Sequence, residues 1–128
     1  MSISNLTVEK FVAAYGEALS RADVRQISGF WAIPSLVVDE AATIAVTGSE
    51  QVEDFFQEAV AYYTHQGMVI ADGTLEHFEN LSDFIVSAAI TWNIKDGQGG
   101  VLVQEKAHYL LQADEKGELL IRLFTPRV

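Results

Sequence analysis

Apolar positions change period along the chain, and the change marks out its architecture. Val8, Phe11, Tyr15, Ala18 and Leu19 recur at helical spacing and predict an amphipathic helix from about residue 7 to 21. Asp23-Val24-Arg25-Gln26 then places an oxygen at a cap and a glutamine three residues on, a capping-box variant. It opens a short second helix predicted to end near Trp31, because Pro34 cannot extend it. Val37, Val38 and residues 43–46 read as a short hairpin with Asp39-Glu40 near its turn. Ser49 is the expected cap of a third helix over 50–66, with Val52, Phe55, Phe56, Ala59, Val60 and Tyr63 as its stripe. Gly67 supplies the left-handed residue that closes it.

Beyond residue 67 the period becomes two. Residues 68–79, 83–93, 101–112 and 118–124 are strand candidates, and Asp96-Gly97-Gln98-Gly99-Gly100 and Asp114-Glu115-Lys116-Gly117 are the later turns. Asp72-Gly73 interrupts the first candidate and marks an expected bulge. Helices followed by an antiparallel meander predict a single α+β domain over residues 1–128, with the helices against one sheet face. Alternation puts Phe84, Val86, Ala88, Ile90 and Trp92 on the inner face, with Val101, Val103, Glu105, Ala107, Tyr109 and Leu111 beside them. Glu105 is the misfit in that set.

A carboxylate on an apolar inner face must pair, coordinate or take up a proton, since burying it alone is costly. Glu105 is therefore a candidate acid–base group, or else the buried partner of Arg122 on the neighbouring strand, or a side chain that exits near the sheet edge. The aromatics Phe11, Trp31, Phe56, Trp92 and Tyr109 are core residues from which an apolar pocket is also built. His65, His77 and His108 share no ligand spacing, and no phosphate-cradling glycine loop occurs, so neither metal nor cofactor is expected.

Composition narrows the partners. With 18 acidic and 8 basic residues the formal charge is −10, which repels phosphate backbones and anionic lipid. Neither nucleic acid nor membrane is an expected partner. No cysteine is present, so disulfides and thiol catalysis are excluded. The opening residues carry no basic, apolar leader pattern, and a cytoplasmic location is expected. Ile85, Ala89, Leu102 and Leu110 leave the outer sheet face more apolar than solvent requires, and a homodimer burying them is expected.

Several segments resemble ketosteroid isomerase. They are Tyr15-Gly16-Glu17-Ala18-Leu19-Ser20-Arg21-Ala22-Asp23, Phe30-Trp31, Val37-Val38-Asp39, Lys106-Ala107-His108-Tyr109-Leu110 and Leu123-Phe124. The wider group is the nuclear transport factor two-like superfamily, which includes SnoaL-like polyketide cyclases. The resemblance implies a cone-shaped, strongly curved, mostly antiparallel sheet with three helices packed on its concave face. It also implies a pocket for a small, apolar, carbonyl-bearing ligand, and isomerase or lyase chemistry. A non-catalytic ligand-binding or dimeric association module is the alternative. By family position, Tyr15 implies a phenol donor to an enolate oxygen and Asp39 a proton-shuttling carboxylate. In such an isomerase a general-base aspartate works with a tyrosine and a second acid that an apolar site keeps protonated. Here the position of that second acid is Ala107, and Glu105 is the nearby substitute on the same face.

Overall fold

The computed structural model describes residues 2–127. Its elements run α1 (Asn5–Arg21), α2 (Val24–Ser28), β1 (Trp31–Val38), β2 (Thr43–Val46), α3 (Ser49–His65), β3 (Ile70–Asn80), β4 (Ile85–Lys95), β5 (Val101–Ala113) and β6 (Leu119–Arg127). The strands form one open six-stranded sheet in the order β2-β1-β6-β5-β4-β3. Among the described residues only the β1–β6 pairing is parallel. The expected α+β arrangement is what forms, with no helix between residues 83 and 112.

Local chemistry sets the helix ends. Ser4 Oγ accepts from the Thr7 amide, starting α1 two residues before the predicted position. Asp23 Oδ1 caps α2 through the Gln26 amide at 3.1 Å, as expected. That helix stops at Ser28, short of the predicted Trp31, because the Gly29 amide turns back onto the Arg25 and Gln26 carbonyls. Trp31 instead opens β1, drawn into the sheet by the Ile121 amide on the Phe30 carbonyl. Pro34 sits where the β1–β6 register shifts between Trp31 and Leu36, a place where a strand tolerates a missing donor.

The third helix is capped from within. Gln51 Oε1 accepts from the Thr47 and Gly48 amides, so Gly48 is the cap and Ser49 the first helical residue. Its far end is a Schellman turn: the Met68 amide meets the Tyr63 carbonyl, the Gly67 amide meets Thr64, and Gly67 has φ +79°.

Register shifts bend the sheet at Leu75/His77, Ile94/Lys95 and Leu110/Leu111. The bulge expected at Asp72-Gly73 is therefore displaced toward Glu76. Gly73 has a different reason to be glycine. It lies opposite Trp92, and a Cβ there would stand 2.5 Å from the Trp92 ring and 2.8 Å from Val12. Gly16 on α1 is similarly close to the Ala71 carbonyl and Trp92, both at 3.1 Å. The two glycines let α1 settle directly onto β3 with the indole clamped between them.

Behind that contact lies the core. Val8, Phe11, Tyr15, Ile27, Val86, Ile90, Leu111 and Ile121 are buried within it. The inner-face assignment holds for Val86, Ala88, Ile90 and Trp92, but Phe84 is 64% exposed. Phe84 precedes β4, in a turn where its amide bonds Ser82 Oγ, so strand alternation does not reach it. On the outer face Ala89 is already buried within the chain, whereas Leu102 is 46% exposed.

No helix among the described residues is long and apolar enough to cross a membrane. Replacing Gly73 with alanine forces a methyl group into the Trp92 ring, and overpacking of this kind costs about 1–3 kcal/mol. A Gly73→Ala variant is expected to lose that much in denaturant unfolding, while Gly48→Ala, with open space around it, loses much less.

Candidate active site

Between the sheet and α3 lies a cavity of about 370 Å³. Its floor follows cross-strand rows. Trp92 and Glu105 form one row across β4 and β5. Tyr109, Phe124 and Val37 form another across β5, β6 and β1. The stripe of α3, from Val52 through Phe56, Ala59 and Val60 to Tyr63, forms the roof. Only Val52 of that helix is buried, because the rest of its apolar stripe faces the cavity or solvent.

Two indole–phenol pairs anchor the inner wall. Trp31 Nε1 donates to Tyr15 Oη at 3.1 Å, and Trp92 Nε1 donates to Tyr109 Oη at 3.0 Å. The two phenol rings stand edge to face with centroids 6.4 Å apart. An indole is donor-only, so each pair fixes the phenol as acceptor on one side and leaves its own proton to be donated. Among the described residues neither hydroxyl finds an acceptor. Burial pushes the Tyr15 phenol well above its ordinary range, with Tyr109 adding to the rise and the Trp31 bond opposing it. Burial also raises Tyr109, opposed by the Trp92 bond and reinforced by the charge of Glu105. Both therefore remain neutral donors at physiological pH.

Glu105 stands on the same strand face as Tyr109, four residues away. Its Oε1 accepts from the Tyr63 hydroxyl at 2.7 Å, linking α3 to β5. Burial raises Tyr63, and the hydrogen bond to Glu105 and its charge raise it further. Arg122 is not the partner of Glu105. It donates to Gln112 Oε1 and to the Pro34 carbonyl at 2.6 Å. Nor is Glu105 buried, because this end of the inner face opens to solvent.

The residues singled out from sequence separate into two groups. Tyr15 and Glu105 lie on the cavity wall with Trp31, Phe56, Trp92 and Tyr109. Phe11 does not: it stacks on the far side of Tyr15, with ring centroids 5.6 Å apart, and fills the core. Asp39 also stands outside. It is exposed at the β1–β2 turn, where its Oδ1 accepts from the Ala41 and Ala42 amides, both at 2.8 Å. The turn binds this carboxylate locally, so Tyr15, Asp39 and Glu105 do not share one cavity. Tyr63 and the polar role of Tyr109 were not read from sequence. Strand parity does carry the second, since Tyr109 and Glu105 have the same face; nothing local announces the first.

The chain matches the model of the family described as NTF2-like protein (DUF6841) over residues 3–127, and it belongs to that family. No functionally curated protein matches it in sequence. Solved structures of the same fold are distant. One is Aln2 from a Streptomyces species, at TM-score 0.74 and 18% identity, covering 99% of this chain and 94% of that one. A ketosteroid isomerase-like protein from Erwinia carotovora gives TM-score 0.65 at 12% identity, covering 94% and 92%. A putative calcium/calmodulin-dependent protein kinase II association domain from Xanthomonas campestris gives 0.67 at 15%, covering 93% and 83%. At these identities the likeness is one of fold.

The raised phenols give a stability signature. A group whose pKa is higher in the folded state stabilises fully below its unfolded pKa, ~10 for tyrosine, and loses that contribution as pH rises above it. At pH about 10.5, where an ordinary tyrosine is roughly three-quarters ionised, absorbance is expected to report about two fewer tyrosinates in folded than in denatured protein. Equal tyrosinate signals with the fold intact would refute the buried-donor assignment.

Proposed function

We propose that this NTF2-like chain is a small-molecule pocket protein for an apolar, carbonyl-bearing ligand, with acid–base chemistry of isomerase or cyclase type. The observation that supports it is the open apolar cavity, in which the Tyr15 and Tyr109 hydroxyls each accept an indole proton and keep their own to give. A ligand carbonyl is the acceptor that fits such a pair. As negative charge develops on that oxygen, two fixed neutral donors in an apolar wall stabilise it more than water would.

Glu105 supplies the base in this reading. Its carboxylate takes a proton from the carbon alpha to the carbonyl, and the C–H electron pair moves into the enolate held by the phenols. Returning the same proton to another carbon completes an isomerisation without any external reagent. Tyr63 holds the carboxylate by its Oε1 and leaves the other oxygen open to the ligand. Ala107, on the same face, contributes no donor, so Tyr109 takes the second place in the oxyanion site.

An association function is the second reading. Leu102 is exposed and Ile85 and Leu110 are half-buried on the outer sheet face, and one structural neighbour is named as a kinase association domain. In this reading a homodimer buries that face, with at least ~1,000 Å² removed from solvent. Light scattering at micromolar concentration is expected to give the dimer mass, and a monomer mass would remove the proposal.

The chemistry is tested by isomerisation of a β,γ-unsaturated ketone by purified protein. Glu105→Gln is expected to lower the rate at least on the order of 10²-fold, and Tyr15→Phe and Tyr109→Phe each by a similar order. Equal rates for the parent and Glu105→Gln would leave a binding pocket without a base.

A further inference from the structure

The cavity wall carries few polar groups, and most are already committed. Ser20 Oγ donates to the Gly16 carbonyl at 2.7 Å and accepts from the Ala71 amide at 2.9 Å. The Gln51 carbonyl oxygen is held by Thr47 and Gly48, and its nitrogen reaches the Ala45 carbonyl at 3.3 Å. The phenols of Tyr15 and Tyr109 are donors in need of an acceptor. Glu105 is the opposite case: its Oε1 is occupied by Tyr63, and its Oε2 has no partner among the described residues.

Among the described residues no basic side chain forms an ion pair with this carboxylate. Arg122 is committed to Gln112 and Pro34, and Lys95 to Asp72 at 2.7 Å. Lys106, the next residue on the strand with Thr91 and Arg127 opposite it, also borders the cavity but forms no ion pair with Glu105. The wall therefore has donors at its buried end and an acceptor without an ion pair where Glu105 meets solvent.

We infer that the pocket selects two-ended ligands: an apolar skeleton with a carbonyl at one end and a hydrogen-bond donor, a hydroxyl or ammonium, at the other. This deepens the binding part of the proposed function and rests on its assignment of the phenols to the carbonyl; a ligand held at both ends occupies Glu105 Oε2, so it is bound without being deprotonated by that carboxylate. A donor arriving at Glu105 Oε2 forms a charge-assisted bond, stronger than a neutral one. A carboxylate at that end meets the like charge of Glu105, which no ion pair offsets. Glu105 is exposed, so solvent screening limits the preference to about threefold to tenfold in affinity.

Acetylnaphthalene, together with its hydroxy, aminomethyl and carboxy derivatives on the far ring, separates these contributions by fluorescence titration. The hydroxy and aminomethyl ketones are expected to bind about threefold to tenfold tighter than the parent ketone, and the carboxy ketone more weakly. In Glu105→Gln, close in shape to the native side chain, the affinity ratio of aminomethyl to carboxy ligand should fall toward one. Added salt should shrink the same ratio in the native protein. If the parent ketone binds and all four ligands bind alike, the two-ended inference is overturned and the phenol assignment stands. If the parent binds equally well to native protein and to Tyr15→Phe and Tyr109→Phe, the phenol assignment fails and takes the inference with it.

Discussion

The Trp92 indole lies between two surfaces that have no side chain to keep it out. Gly73 is its cross-strand neighbour and Gly16 approaches from α1, each within 3.1 Å or less of the ring where a Cβ would be. That clamp fixes how closely α1 approaches β3. It also holds the indole so that Nε1 meets the Tyr109 hydroxyl. Tyr15, on the same helix as Gly16, is thereby carried into edge-to-face contact with both Trp92 and Tyr109. The inner wall of the cavity is a consequence of this one close approach.

The wall's chemistry follows from hydrogen-bond accounting. Burying a phenol without a partner costs on the order of 1–3 kcal/mol. Two tryptophans meet that cost on the acceptor side alone, because an indole has nothing but a donor to offer. A serine or water in the same place would take the phenolic proton as readily as give one. The donor character of Tyr15 and Tyr109 is therefore written into their partners. Around Asp39 the accounting closes locally: two backbone amides of its own turn occupy the carboxylate. Two acids of the same chemistry thus have different prospects, Asp39 bound to its turn and Glu105 presented by a long strand to a cavity.

The helix α3 bridges the two halves of the site. Its N-terminal part is fastened by Gln51 and by Phe56 against Trp31. Its C-terminal part overhangs the cavity and is joined to β5 by the Tyr63–Glu105 bond. The roof and the Glu105 carboxylate are consequently held by the same hydrogen bond, so α3 also positions the group below it.

Much of the fold was legible because its determinants are local. A 3.6-residue stripe, the Asp23 cap, Gly67 and the alternating strands are set by sterics and hydrogen bonds within a few residues, and each appears where the pattern put it. Glu105 stood out as a misfit for the same reason, since strand parity needs no knowledge of the partner strand. Parity failed at Phe84 because the chain was still turning there, and helical spacing ran past Ser28 because pairing with β6 claimed Trp31. What the sequence alone determined was the order of elements, the apolar face and the one acid on it. Tertiary structure decided the rest: that Tyr63 rather than Arg122 meets Glu105, that indoles orient both phenols, that Phe11 backs the wall, and that Asp39 stays outside. The hydrogen-bonded pairs among these join residues 16 to 42 positions apart, and their distances depend on bulges, crossing angles and missing Cβ atoms that no local pattern encodes.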